Sequence, residues 1–310
     1  MAHSELKKEI PVEAIGLIDG KIISLREKVI EIEDRGYQFG DGVYEVTMIY
    51  NRRPFALKLH MDRLFRSLRE LKIPITYSFE ELARFHELLI EKSGLSEATV
   101  YLQITRGVAP RSHTLPKSVT PRLTMSIQPF TAHRDQRESG AATIFVPDER
   151  WLRCDIKSIN LLGNLLARER ATAAGVIEAV MVRPRDLFAS RGTQLLDGII
   201  TEGTHTNFFA VKDGRLHTHP ANHLILRGVS RTILLDQLAP SLGIPAVEEP
   251  FDVAFAKSAD EAFAAGSTVE ITPFISFDGA PVGNGKVGPI TRRVMDAFGA
   301  FIAKECGISN

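Results

Sequence analysis

The stretch Trp151-Leu-Arg-Cys-Asp-Ile-Lys-Ser-Ile-Asn-Leu-Leu-Gly-Asn164 decides how this chain is read. One lysine, Lys157, stands between Ile156 and a run leading to Leu161 and Leu162. Lysine side chains usually stay in water. A lysine held near apolar walls loses its proton more easily, because desolvation disfavours the ammonium form. The neutral amine is a nucleophile towards carbonyl carbon and forms a Schiff base. An enzyme needs that chemistry to hold an aldehyde cofactor. The plainer reading is a lysine that snorkels at the start of a helix.

Working outward, the same stretch runs into a helix predicted over 161–174 and closed by Gly175. A strand is predicted before it, at Ala142 to Val146, and a mostly apolar one after it, at Ile177 to Val182. The segment from Arg183 to Asp197 is long for a connection between strands and contains Pro184 and Gly192. It is expected to protrude at the surface, with one helical turn around Leu187 to Ser190. Next comes Gly198-Ile-Ile-Thr-Glu-Gly-Thr-His-Thr-Asn-Phe-Phe209, a strand, a polar turn and a second strand. Glu202 ends the first of these strands, either as a surface turn residue or held inward to pair with a cation. Asp213-Gly214 centres a hairpin. A helix starts within Ile225 to Leu235, with Gly228 and Ser230 at its mouth and Ser230 as its expected cap. Helix N-termini also suit phosphate. Ala264 to Glu270 carries small residues and two hydroxyls in a turn, a nest for an anion. Pro289 to Cys306 reads as a closing helix.

The N-terminal half begins with a hairpin around Asp19-Gly20. Asp34-Arg-Gly-Tyr-Gln-Phe-Gly-Asp-Gly42 is dense in glycine and leads into a strand from Val43 to Tyr50. Tyr44, Val46 and Met48 share one face of that strand. On this strand alone Tyr44 reads as a core tyrosine ahead of a site residue. Met61, Leu64, Phe65, Leu68 and Leu71 form the apolar stripe of a helix over 60–71. Arg63 lies off the stripe, on a solvated face or facing a phosphate. Further elements are a helix over 79–92, a strand over 98–106 and a strand over 123–129. Between the two strands, Gly107 to Pro116 is a loop in which Arg111 and His113 stand two apart. An extended backbone would turn both to one side, where they suit a carboxylate; an ordinary polar loop accounts for them equally well. The polar stretch from Thr131 to Gly140 is the expected linker.

The chain has 310 residues, 44% hydrophobic and 25% charged, which fits one large or two ordinary soluble domains. Lys plus Arg equals Asp plus Glu at 38 each, so nothing asks for nucleic acid or an anionic membrane. No apolar run approaches a membrane span, and Met1 to Glu13 carry no signal-peptide pattern. The two cysteines, Cys154 and Cys306, imply no disulfide framework and fit a reducing cytoplasm. No paired-cysteine metal spacing, internal repeat or low-complexity tract is seen.

Several runs, taken in order, resemble the fold-type IV (class IV) aminotransferases that depend on pyridoxal 5'-phosphate (PLP), nearest to the bacterial D-amino acid aminotransferases. They are Asp34 to Glu45, Ile104-Thr-Arg-Gly107 with Pro110-Arg-Ser-His113, Trp151 to Ser158, Thr201-Glu-Gly203 and Glu270-Ile-Thr-Pro273. The resemblance implies an α/β (α+β) fold of two domains. A smaller α/β domain spans residues 1–132 and a larger one 133–310, with PLP between them. It implies that Lys157 holds PLP as a Schiff base and then moves a proton at the substrate α-carbon. It implies that Glu202 partners the pyridine nitrogen, and that Arg63, Val229, Ser230 and Ser267 hold the phosphate. Tyr44, Arg111 and His113 match the group that holds the substrate α-carboxylate. Arg111 and His113 reach it from the neighbouring subunit, which implies a homodimer.

Departures are Thr204-His205-Thr206 where three serines are common, serines at 230 and 267 where threonine is common, and the long segment after Arg183. The implied reaction is reversible amino transfer from D-amino acids such as D-alanine to 2-oxoglutarate, giving pyruvate and D-glutamate. Competing readings are a branched-chain L-aminotransferase, an aminodeoxychorismate lyase of the same fold, and a non-catalytic PLP-binding protein. Pro110-Arg-Ser-His113 argues against the first of these.

Overall fold

Ala98, Val100, Leu102 and Ile104 are buried and alternate with half-buried Thr99, Tyr101 and Gln103, the period of a strand with one face on a core. The same alternation recurs at Leu123, Met125 and Ile127. The computed structural model, which describes residues 15–130, 134–184 and 198–308, pairs these two stretches along their whole length. The segment predicted as a surface excursion therefore lies, from residue 185 to 197, outside the described residues.

The chain divides into two compact units, Met1–Thr131 with Lys157–Asn160 and Ile302–Asn310, and Ala132–Ile156 with Leu161–Phe301. A single division at residue 132 would put Lys157 in the second. It packs with the first because its backbone is hydrogen-bonded there, to Tyr44 and Ser67.

In the first unit the elements are β1 (Ile15–Ile18), β2 (Lys21–Ser24), α1 (Arg35–Phe39), β3 (Gly42–Tyr50), β4 (Arg53–Pro54), α2 (Leu57–Glu70), α3 (Phe79–Ser93), β5 (Ala98–Thr105) and β6 (Arg122–Pro129). The strands form one sheet in the order β2-β1-β6-β5-β3-β4. Met61, Leu64 and Leu68 of α2 and Leu82 and Leu89 of α3 are buried with the apolar strand residues. Ser78 and Glu81 close a reciprocal capping box at the start of α3. α2 starts three residues before the predicted His60. Its cap is Ala56, in the left-handed region with no side-chain bond, so no polar signal marks the start. The turn before it is tied from far away. Asn51 Nδ2 donates to the carbonyls of Cys306 and Gly307 at 3.1 and 2.9 Å, and the Ala56 N–H donates to Glu305 Oε1 at 2.8 Å.

The second unit runs α4 (Arg134–Ser139), β7 (Ala141–Pro147), α5 (Leu162–Ala173), β8 (Glu178–Arg183), β9 (Ile199–Gly203), β10 (Asn207–Lys212), β11 (Arg215–Thr218), α6 (Val229–Ile233), α7 (Ala239–Ser241), β12 (Ala246–Glu248), α8 (Val253–Lys257), β13 (Glu261–Gly266), β14 (Glu270–Phe277), β15 (Ala280–Pro281) and α9 (Pro289–Cys306), the last turn of α9 belonging to the first unit. Its sheet has the order β12-β11-β10-β13-β14-β7-β8-β9, with β15 on β14. All six residues of β8 are buried, as a strand flanked on both sides demands. Phe145, Phe208, Phe274 and Phe277 share one core cluster. The stretch expected to be a linker holds α4, which contacts β14 and pairs Arg137 with Glu270.

α5 reverses the usual amphipathic pattern. Ala167 and Ala171 face the sheet, where small residues let the helix approach closely, while Leu162, Leu165 and Leu166 are 70, 59 and 61% exposed.

His86 of α3 gives the first unit an acid-sensitive core. It is buried, Nδ1 donates to the Leu82 carbonyl at 2.8 Å, and Nε2 has no partner among the described residues. Burial pushes the imidazole down to about 4, and the nearby His60 adds to the effect while Glu45 opposes it. The unfolded chain therefore takes up this proton near pH 6.5 and the folded chain only near 4. Stability from this group is complete above pH 6.5 and falls as pH drops to about 4, by roughly 3 kcal/mol. Urea unfolding at pH 7 and 4.5 should show the loss, and His86→Leu should flatten it. An unchanged pH slope in the variant would rule His86 out as the cause.

Candidate active site

Lys157 sits in a turn with two backbone anchors. Its N–H donates to Ser67 Oγ at 3.2 Å, and its carbonyl accepts from the Tyr44 N–H at 3.0 Å. Val43 and Ser158 form a bridge beside it. These bonds fix the backbone whatever the side chain. Lys157 is half-buried, and Nζ lies 4.0 Å from the centroid of the Tyr44 ring. That ring stacks on Tyr101 at 5.6 Å.

Alternation on β3 turns Glu45 to the face opposite Tyr44. Glu45 is wholly buried and accepts from Arg63 Nε at 2.7 Å, Arg63 Nη2 at 2.8 Å and His60 Nδ1 at 2.8 Å. Burial opposes its charge, but the Arg63 guanidinium and the bonds from Arg63 and His60 outweigh burial and hold Glu45 at about 2. Burial lowers the His60 pKa, Glu45 works against this, and the charges of Arg63 and Lys157 reinforce it. Arg63 is thus a guanidinium held by two bonds to a carboxylate, not a member of a solvated face.

Arg111 and His113 are exposed on a loop that bends at both residues, so the expected extended backbone is absent. They still share one neighbour. The Arg111 guanidinium carbon is 4.5 Å from the Phe39 centroid, and the His113 ring meets Phe39 edge-on at 5.9 Å.

In the second unit Glu202 is buried at the end of β9. Its Oε1 accepts from Arg150 Nη1 at 2.5 Å and its Oε2 from Asn207 Nδ2 at 3.0 Å, while the Leu226 N–H lies 3.1 Å from both oxygens. Asp148 steadies Arg150 with two bonds of 2.9 Å and accepts from the Thr201 hydroxyl. Burial raises the Glu202 pKa, and Arg150 works against it. Burial opposes the Arg150 charge, but Glu202 and Asp148 prevail and raise its pKa. A carboxylate at this position can accept a hydrogen bond from a protonated basic ligand atom.

Gly228, not Ser230, is the cap of α6, and no side chain caps this turn. Ser230 is buried one residue inside the helix. The N–H groups of a first helical turn have no partner within the helix, and its dipole end is positive. A Cβ on Gly228 would stand 2.1 Å from Asn207 Oδ1, so only glycine allows this approach. Asn207 Nδ2 also donates to the Leu226 carbonyl at 2.8 Å, which ties the segment before the helix to Glu202. Ser267 lies in the turn between β13 and β14. The turn holding His205 and Thr206 approaches it, since a Cβ on the adjacent Gly266 would be 3.4 Å from Thr206 Cγ2. His205 itself is exposed, with Nδ1 3.1 Å from Glu178 Oε2. Backbone donors, two hydroxyls and a buried carboxylate on one unit fit a ligand that joins an anion to a basic ring nitrogen.

Residues 42–277 match the family model described as amino-transferase class IV. The chain belongs to this family. It is 39% identical to the D-alanine aminotransferase of Staphylococcus aureus (strain COL) over 286 residues, 92% of this chain and 96% of that one. It is 39% identical to the D-alanine aminotransferase of Listeria monocytogenes serotype 1/2a (strain 10403S), over 94% of this chain and 97% of that one. The Escherichia coli branched-chain amino acid aminotransferase has a similar solved structure, with a TM-score of 0.83 and 26% identity, covering 92% of this chain and 93% of that one.

This class IV aminotransferase contains polar groups that the sequence reading passed over: Glu45, His60, Asp148, Arg150 and Asn207. A signal existed for Glu45, a charge inside an apolar strand. Asp148 and Arg150 stand directly before Trp151, yet nothing in their spacing says that they meet Glu202.

Proposed function

We propose that this aminotransferase uses PLP to move the amino group of D-amino acids such as D-alanine to 2-oxoglutarate, giving pyruvate and D-glutamate. The 39% identity with D-alanine aminotransferases over more than nine-tenths of the chain carries this reading.

When bound, PLP supplies an electron sink for the substrate α-carbon. Lys157 Nζ would hold the cofactor's aldehyde carbon, and the same amine would take the proton from the substrate α-carbon. Glu202, steadied by Arg150 and Asn207, would keep a proton on the cofactor's ring nitrogen. The first-turn N–H groups at Val229 and Ser230, with the hydroxyls of Ser230 and Ser267, would hold the phosphate, and Arg63 would add its charge. Tyr44, Arg111 and His113 hold the substrate α-carboxylate, the last two from a neighbouring subunit of a homodimer. The exposure of Arg111 and His113 and the outward leucines of α5 support a partner surface.

Arg111→Ala should raise the half-saturating D-alanine concentration roughly ten- to a hundred-fold, and His113→Ala less, because a charged hydrogen bond is worth about 1.5–3 kcal/mol. The reading itself is tested by half-reactions of the holoenzyme with D- and L-amino acids, followed by cofactor absorbance. D-alanine should convert the cofactor to its amine form. Conversion by L-leucine but not D-alanine would favour the branched-chain activity named for the E. coli structure. Pyruvate formed without an oxo-acid acceptor would favour a lyase. Among the described residues no helix is long and apolar enough to cross a membrane.

A further inference from the structure

Phe39 ends α1 and meets both members of the Arg111–His113 pair. Arg111 lies over its ring at 4.5 Å and His113 meets its edge at 5.9 Å between centroids. Arg35 lies over the same ring at 4.7 Å. Arg35 Nη1 also donates to the carbonyl of Ser112, the residue between the pair, at 2.8 Å. Arg35 is itself immobilised. It is buried, its Nε donates to Asp41 Oδ2 at 2.8 Å, and Arg106 grips the same carboxylate at 2.8 Å. The base of the loop is closed by the Arg35 N–H on the Gly107 carbonyl, and by Gly107 at φ 99°, where a Cβ would stand 2.0 Å from the Thr120 carbonyl oxygen.

Arg111 and His113 are exposed on a loop without regular secondary structure. A long side chain in that setting samples many rotamers, and a ligand that freezes it loses affinity. A ring that already attracts the guanidinium and packs the imidazole removes part of that cost beforehand. We propose that Phe39 is a positioning residue that preorganises Arg111 and His113 for the carboxylate shared by the amino acid and the oxo acid. This rests on the reading of Arg111 and His113 as the carboxylate-holding pair. Phe39 acts through them, so its removal changes half-saturation and leaves the chemical step alone.

The experiment is a set of single-turnover titrations of the holoenzyme with D-alanine. Phe39→Leu should raise the half-saturating concentration about three- to ten-fold, with the limiting rate within two-fold of wild type. Phe39→Tyr, which keeps the ring, should restore it. In an Arg111→Ala/His113→Ala background, Phe39→Leu should change half-saturation less than two-fold, because nothing is left to position. Thermal melting of each variant checks that the loop base is intact. A fall in limiting rate as large as the change in half-saturation, failure of Phe39→Tyr to rescue, or an undiminished effect in the double background each overturns the inference while leaving the carboxylate reading in place. If Arg111→Ala/His113→Ala binds D-alanine as tightly as wild type, the carboxylate reading itself is wrong and the inference falls with it.

Discussion

Lys157→Ala should lose transamination activity by at least roughly a thousand-fold, because in the proposed mechanism the amine both holds the cofactor and moves the proton. The protein should nevertheless fold. Both anchors of this residue are backbone bonds, to Ser67 Oγ and to the Tyr44 N–H, and alanine keeps them. Melting within a few degrees of wild type, with no single-turnover signal from D-alanine, is the expected pair of results. Borohydride reduction of the wild type should attach the cofactor to the peptide that carries Lys157. Attachment to a peptide with a different lysine, or an active alanine variant, would remove Lys157 from its role.

Glu202→Gln should slow proton removal from the substrate on the order of a hundred-fold, the range found when one preorganised charge-stabilising group is lost. The structure adds a reason why the neutral side chain is a poor substitute. Both oxygens of Glu202 face donors, from Arg150, Asn207 and Leu226. An amide NH2 in either orientation points a donor at a donor, and among the described residues Arg150 keeps Asp148 as its one anion. The variant should therefore lose stability as well as rate. Glu202→Asp, which preserves charge at a shorter reach, should recover more of the stability than of the rate. Single-turnover rates equal to wild type in the glutamine variant would show that Glu202 has no part in the chemistry.

Much of this was legible in the sequence because it rests on local rules. Asp19-Gly20 and Asp213-Gly214 make the hairpins their composition asks for, and α9 spans Pro289–Cys306 as read. Three elements escaped for physical reasons. Ala56 caps α2 through an unusual backbone conformation rather than a polar side chain. Arg134–Ser139 is helical although its sequence is polar enough for a linker. Ser230 looks like a cap, but glycine is needed at 228 to clear Asn207, and the cap moves there. The residues around Glu45 and Glu202 come from strands and turns distant in sequence. No periodicity encodes such meetings, so the partners of a recognised residue were harder to read than the residue itself.

The bonds from Asn51 and Ala56 to the end of α9 also set an order of events during synthesis. Asn51 and Cys306 are 255 residues apart. At about 5–20 residues per second, the chain waits on the order of tens of seconds between making the turn and making its partners. Throughout that interval Asn51 and Ala56, both at positive φ in the finished protein, lack the carbonyls and the carboxylate that hold them. Lys157, with its link to β3, emerges about midway. The unit that begins first on the ribosome is therefore completed last, after every strand of the second sheet has been made.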